Sequence, residues 1–185
     1  MHAPRYFRLR SWALFSHPIR PALHQLKYHG DIGLAEALVP QFAAFARRLN
    51  WNVDVLVPVP LGKDRQKQRG YNQAGLISWP LSLALGIRHA PQALKRTRET
   101  ASQVGLNRQE RHENVRGAFN ASSEWIAGRT VLILDDVATT GATLSSCADA
   151  LLVAGAQDVF ALTVARAFRD YTASDASAEK AIMRP

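Results

Sequence analysis

Apolar residues recur at helical spacing across residues 33–49, where Leu34, Leu38, Phe42, Phe45 and Leu49 share one face. This pattern predicts an amphipathic helix, with Pro40 as a kink inside it. The β-branched run 53–59 predicts a short buried strand. Residues 62–70 are basic and polar with a glycine at each end, so they predict a loop. A helix follows over 72–85, closed by Gly86 and bent or divided at Trp79-Pro80. Residues 90–95 fit a short strand, whereas 96–118 are charged and aperiodic, the pattern of a long mobile loop with some helix near 108–115. Residues 130–134 (TVLIL) form the clearest buried strand; a helix over 143–153 and a strand over 159–164 come next, with Gly155 between them. No internal repeat is visible. Strands alternating with helices predict an α/β fold, a mostly parallel sheet flanked by helices. The expected division is an N-terminal extension 1–11, one domain over 12–170 and a frayed tail 171–185.

The 185 residues suffice for one sizeable core. No apolar run approaches the roughly 20 residues of a membrane helix, so no membrane insertion is expected. Basic Arg5, Arg8 and Arg10 precede an apolar stretch, Trp12 to Phe15, that is too short for a signal peptide. Cys147 is the single cysteine, which excludes an internal disulfide and fits a reducing, cytoplasmic setting. The six histidines lack metal-ligand spacing. A net charge of +8 favours polyanionic partners, either a diphosphate or nucleic acid.

The placement of polar residues narrows this choice. The run 131–143 (VLILDDVATTGAT) carries Asp135 and Asp136 at the exit of the central strand. Ligands of open parallel sheets bind at such exits. Adjacent carboxylates repel each other in a dry core and gain partners from a polyol or a metal-bound sugar. Thr139, Thr140 and Thr143 add hydroxyls, and Gly141 and Ala142 let an anion approach the backbone at the start of a helix. Together these features describe a ribose 5-phosphate site. A surface turn at Asp135 with Thr143 as a plain cap would explain single residues but not the set. Upstream, Pro58 and Pro60 stiffen a strand exit, and Lys63, Arg65, Lys67 and Arg69 recur at every second position. In an extended loop these four cations would line one side as a wall for a diphosphate; a solvated basic loop is the competing reading. The Arg-rich stretch 96–116 has the length of a lid, or of a charged insertion. Cys147 reads as helix packing, and core packing is the safer assignment for Trp79.

The segment 131–143 resembles the phosphoribosyl pyrophosphate motif of type I phosphoribosyltransferases, and the wider chain resembles the ComF/GntX (competence protein ComF-like) family. Three further stretches agree in order: Leu26-Lys27-Tyr28-His29-Gly30, Val57-Pro58-Val59-Pro60 leading to Arg69-Gly70-Tyr71-Asn72-Gln73, and Arg96 to Phe119. The likeness covers roughly residues 12–168. It implies a Rossmann-like fold with a flexible loop over the site. It also implies that Asp135 and Asp136 hold the ribose hydroxyls, as candidate metal contacts too, and that Ala138 and Thr139 to Thr143 hold the 5′-phosphate. Pro60, Arg65, Lys67 and Arg69 would bind pyrophosphate, arriving with Mg2+. Arg96 and Arg108 would serve catalysis, and Gln103, Arg108 and Asn114 match polar positions of the loop. The expected activity is transfer of ribose 5-phosphate to an acceptor, in nucleotide metabolism. The alternatives are a non-catalytic donor-binding protein or a DNA-uptake accessory factor, because the family is linked to natural transformation. Single-stranded DNA, DNA-uptake proteins and a second copy of the chain are the partners to consider. Family members commonly carry an N-terminal zinc ribbon on paired CxxC motifs; this sequence has none, so zinc is not carried over.

Overall fold

The computed structural model describes residues 8–98 and 108–167. Its core is a five-stranded, wholly parallel sheet of β1 (Leu9–Leu14), β7 (Asp158–Arg166), β6 (Thr130–Ala138), β2 (Val55–Pro58) and β3 (Arg88–His89), in that spatial order. The β6 strand is central, paired along Val55↔Val131 to Pro58↔Leu134 on one side and Thr130↔Asp158 to Ala138↔Arg166 on the other.

Alternation along the strands explains the continuous apolar runs, because both faces are covered. Val55, Val57, Val131, Ile133, Val159 and Ala161 point into one core layer. That layer is closed by α7 (Ala142–Val153) through Leu144, Cys147 and Leu151, and by Val115 of α5 (Arg108–Val115) and Ile126 of α6 (Ser123–Ile126). Leu56, Leu132, Leu134, Phe160 and Leu162 point to the other face. There they meet α1 (Ile19–His29), α2 (Ile32–Arg48) and α4 (Gln73–Leu85) through Leu26, Phe42 and Ile77. Ile133 is fully buried at the middle of β6. Ile133→Ala is therefore expected to cost about 2–5 kcal/mol, read from urea unfolding.

Four features differ from the sequence-based expectations. Residues 63–69 are not a loop but helix α3 (Lys63–Arg69). Every residue in it is unbranched at Cβ, Gly70 caps it at φ 76°, and Asp64 in the first turn with Lys67 and Arg69 in the last suit the helix dipole. The α4 helix runs undivided through Pro80. The expected strand at 90–95 is instead a 3-10 turn at Pro91–Ala93 followed by β4 (Leu94–Arg96), which pairs antiparallel with β5 (Phe119–Ala121) as a separate two-stranded sheet. Finally, the main sheet begins at Leu9, inside the stretch expected as a terminal extension. The buried Ser11 hydroxyl meets that of Thr163 at 2.7 Å and ties this strand to β7.

Candidate functional site

The crossover after β2 leads through α3 and α4 to β3, whereas the crossover after β6 leads through α7 to β7 on the opposite side. The two connections diverge between β2 and β6. In an open α/β sheet that divergence opens a crevice beyond the carboxyl ends of the two strands. The backbone closes it tightly below: Val59 N–H donates to Leu134 O at 2.8 Å, and Asn72 Nδ2 donates to Val59 O at 2.9 Å. Pro60, the next residue, therefore stands beside the residues that follow Leu134.

Those residues are the two carboxylates. The β6 strand continues through them to Ala138, so Asp135 and Asp136 are held in extended backbone rather than in a turn. Asp136 N–H donates to Asp135 Oδ1 at 2.9 Å, and Val137 N–H donates to Asp136 Oδ1 at 2.8 Å. Asp135 keeps a strip of accessible surface, yet protein surrounds its carboxyl. Burial first, and the neighbouring Asp136 charge second, push it well above the usual carboxylate range. Arg96, at the end of β4, pulls it the other way. The Cys147 thiol beneath is raised by burial and by Asp135, and it is sealed in the core.

The chain then turns into α7. Gly141 takes a left-handed conformation (φ 81°) as the residue before the helix, a geometry that disfavours side chains. Thr140 Oγ1 accepts from Ala142 N–H at 3.3 Å, and Ser145 N–H donates to Gly141 O at 2.9 Å. Ala138 is buried, and its carbonyl accepts from Ala167 N–H at 2.9 Å, which anchors the bend to the end of β7. Thr139 is exposed and Thr143 half-buried. Residues 135–143 thus form one continuous rim, from a crowded carboxylate pair to the positive end of a twelve-residue helix.

The basic wall is corrected by the helix. Arg65 and Arg69 lie one turn apart and are half-buried, while Lys63 and Lys67 form a second, exposed pair about 200° around the axis. Arg69 stands over the Tyr28 ring at 5.7 Å. The four cations therefore do not line one side. Arg96 lies near enough to Asp135 to lower its pKa, and its guanidinium lies 5.6 Å from the Phe119 ring centre. Arg108 opens α5, but its side chain, like Gln103, lies outside the described residues. Asn114 does lie on α5, and its carbonyl accepts from Arg98 Nη2 at 3.0 Å; Arg116 O accepts from the same nitrogen at 2.9 Å. Trp79 is not core: it is 56% exposed and meets His89 edge-on at 5.5 Å.

Reading along the sequence missed two contacts because each joins distant segments. Tyr71 Oη donates to Leu26 O at 2.9 Å, and a Cβ at Gly30 would sit 3.0 Å from the Tyr71 ring. The 26–30 and 69–73 motifs are thus one packed unit. A groove of about 950 Å³ on the outer side of α7, between Arg116 and Gly155, shares only Ala142 with the bend and lies apart from the carboxylates.

A family model described as the phosphoribosyl transferase domain matches residues 74–182. The DNA utilization protein YhgH of Escherichia coli K12 is 37% identical over 161 residues, covering 84% of this chain and 70% of its own. Competence protein ComFC of Bacillus subtilis is 31% identical over 159 residues, covering 85% of this chain and 63% of its own. Competence protein F of Haemophilus influenzae is 38% identical over 116 residues, 62% of this chain and 51% of its own. Among solved structures, the glutamine phosphoribosylpyrophosphate amidotransferase of B. subtilis superposes with a TM-score of 0.50 at 20% identity, a likeness of fold. The match covers 71% of this chain and only 26% of the amidotransferase.

Proposed function

Because the chain belongs to the phosphoribosyl transferase domain family, and within it to the ComF branch, we propose that it binds phosphoribosyl pyrophosphate with Mg2+ and transfers ribose 5-phosphate to an acceptor. One observation carries this reading: adjacent half-buried carboxylates, of which Asp135 is raised by burial and by the Asp136 charge, run directly into a glycine-opened helix N-terminus. Ribose hydroxyls donate to carboxylates, and the orphan N–H groups of a helix start donate to phosphate oxygens. The spacing along residues 135–143 would bring both ends of a phosphorylated pentose within reach of one segment.

The acceptor displaces diphosphate from the anomeric carbon. The C–O bond breaks, its electron pair leaves with diphosphate, and positive charge develops on the sugar. Arg96 and the half-buried Arg65 are the groups we assign to the departing charge, together with Pro60 as the rigid exit of β2. Lys67 and Arg69 stand at one remove, since α3 turns Lys67 outward and Arg69 rests on Tyr28. Arg108 would join from the start of α5.

The residues present fit Mg2+. Among the described residues, no group of three or more His, Cys, Asp or Glu could cage a metal alone. Mg2+ is commonly held by one or two carboxylates plus substrate phosphates, and adjacent aspartates offer that share. When bound, the ion would neutralise charge on the leaving diphosphate.

The relatives' names, DNA utilization protein and competence protein, support a second reading as an accessory factor for DNA uptake, in which the same fold would bind the donor without turnover. Both readings imply the cytoplasm, and among the described residues no helix is long and apolar enough to cross a membrane. Calorimetric titration of the donor is expected to show binding that weakens at least tenfold when Mg2+ is chelated. Pyrophosphate release across a panel of nucleobases and amines then decides: release supports transfer, and binding without release supports sensing. No donor binding at all would sink both readings.

A further inference from the structure

The C-terminal end of α5 closes on consecutive carbonyls that side chains of other elements hold. Arg98 Nη2 donates to Asn114 O at 3.0 Å and to Arg116 O at 2.9 Å. Between them, Val115 O accepts from Ser146 Oγ at 2.6 Å. The last carbonyls of a helix lack partners within it and carry the negative end of its dipole, so an arginine is well placed there. The two donors come from different elements: Arg98 follows β4, and Ser146 lies about one turn into α7. Neither is among the groups assigned to the donor.

These bonds act on the segment that carries Arg96. Thr97 N–H donates to Ala118 O at 2.9 Å, which extends the β4–β5 pairing one bond past Arg96. Arg96, Thr97 and Arg98 are thus stitched to the turn from α5 into β5, and Ser146 fastens that turn to α7. Val115 and Phe119 share a core with Leu144 and Cys147 of α7. Apolar packing is non-directional, however, whereas a hydroxyl–carbonyl bond has a preferred length and angle. It fixes the small sheet at one place along α7. We propose that Ser146, with Arg98, is a positioning residue for Arg96: it locks the β4–β5 sheet against α7 so that the guanidinium meets the departing diphosphate. This role follows only if the crevice holds the donor, as proposed above. The start of α7 would take the 5′-phosphate and Arg96 the diphosphate, so the Ser146 bond sets the span between the two anionic ends. A displacement of about 1 Å is enough to matter at such a site.

The test is calorimetric titration of the donor with Mg2+ and, separately, of ribose 5-phosphate. Ser146→Ala removes no charge, so a loss it causes is one of position. Donor affinity is expected to fall about five- to tenfold, the scale of one neutral hydrogen bond, with ribose 5-phosphate affinity within about twofold of wild type. Ser146→Thr keeps the hydroxyl and should restore the donor, since the groove that Ser146 lines leaves room for a methyl. Arg98→Gln should weaken the donor in the same way. In the Arg96→Gln background neither change should weaken it further, because residues that act through one group do not add. Thermal melting checks folding; should Ser146→Ala fail to fold, the exposed Arg98 runs the same cycle. Wild-type donor affinity in Ser146→Ala would overturn the proposal. So would an equal loss of ribose 5-phosphate, or a full further loss in the Arg96→Gln background, either of which reduces the bond to support of the fold. A wild type that binds no donor would defeat the donor reading itself, whereas every other result leaves that reading standing.

Discussion

Replacing Asp135 and Asp136 together with asparagine is expected to have two opposed effects. Affinity for phosphoribosyl pyrophosphate with Mg2+ should fall by on the order of a hundredfold or more, since hydrogen bonds to charged groups contribute roughly 1.5–3 kcal/mol each. At the same time the ligand-free protein should melt at a higher temperature at neutral pH. The sign follows from the raised carboxyl of Asp135. A folded state that holds a proton more tightly than the unfolded chain loses stability as pH rises from the ordinary carboxylate value through the folded pKa. The asparagine variant has no such proton to lose. The gap in melting temperature should therefore be small near pH 4, widen towards pH 8, and narrow when donor and Mg2+ are added to the wild type. Calorimetric scans across that range check it. If the two proteins melt alike at pH 8, the carboxylates are already paired and the sugar-site assignment fails.

The same aspartates show how much could be read from sequence. Their identity, their place after an apolar strand and the threonine–glycine bend are contiguous, so residues 135–143 were legible as one candidate segment. The central strand was legible too, because both faces of β6 are covered and its apolar run is uninterrupted. The half-exposed strand β1 was not, since Arg10 and Ser11 break its apolar pattern and its partner lies some 150 residues away, at Thr163. Helix α3 was hidden for a different reason. It has no apolar face to reveal its period, and its flanking glycines suggest a loop as readily as two helix ends. That misreading had consequences, because the helix splits the cations into two pairs and puts Arg69 on Tyr28. Periodicity could not show the approach of Arg96 to Asp135, which depends on how the small β4–β5 sheet docks beside the end of β6.

Arg96 is where chemistry and packing are most closely joined, and its substitution should separate them. Its guanidinium rests against Phe119 and lowers the pKa of Asp135 from the level set by burial and Asp136. In Arg96→Gln, pyrophosphate release is expected to fall by about 10²–10³, the usual loss when one preorganised donor to a developing charge is removed. Affinity for ribose 5-phosphate, which lacks the diphosphate, should change far less. A second readout is independent of turnover. Removing the arginine charge leaves Asp135 still harder to ionise, so the pH midpoint for donor binding should move upward. Arg96→Lys keeps a positive charge and should return that midpoint most of the way, although a single ammonium cannot reproduce the planar fork of arginine. If Arg96 served only to pack on Phe119, both variants would lower the melting temperature while the pH midpoint stayed where it is in the wild type. A midpoint that moves with charge and not with side-chain shape would mark Arg96 as part of the donor site.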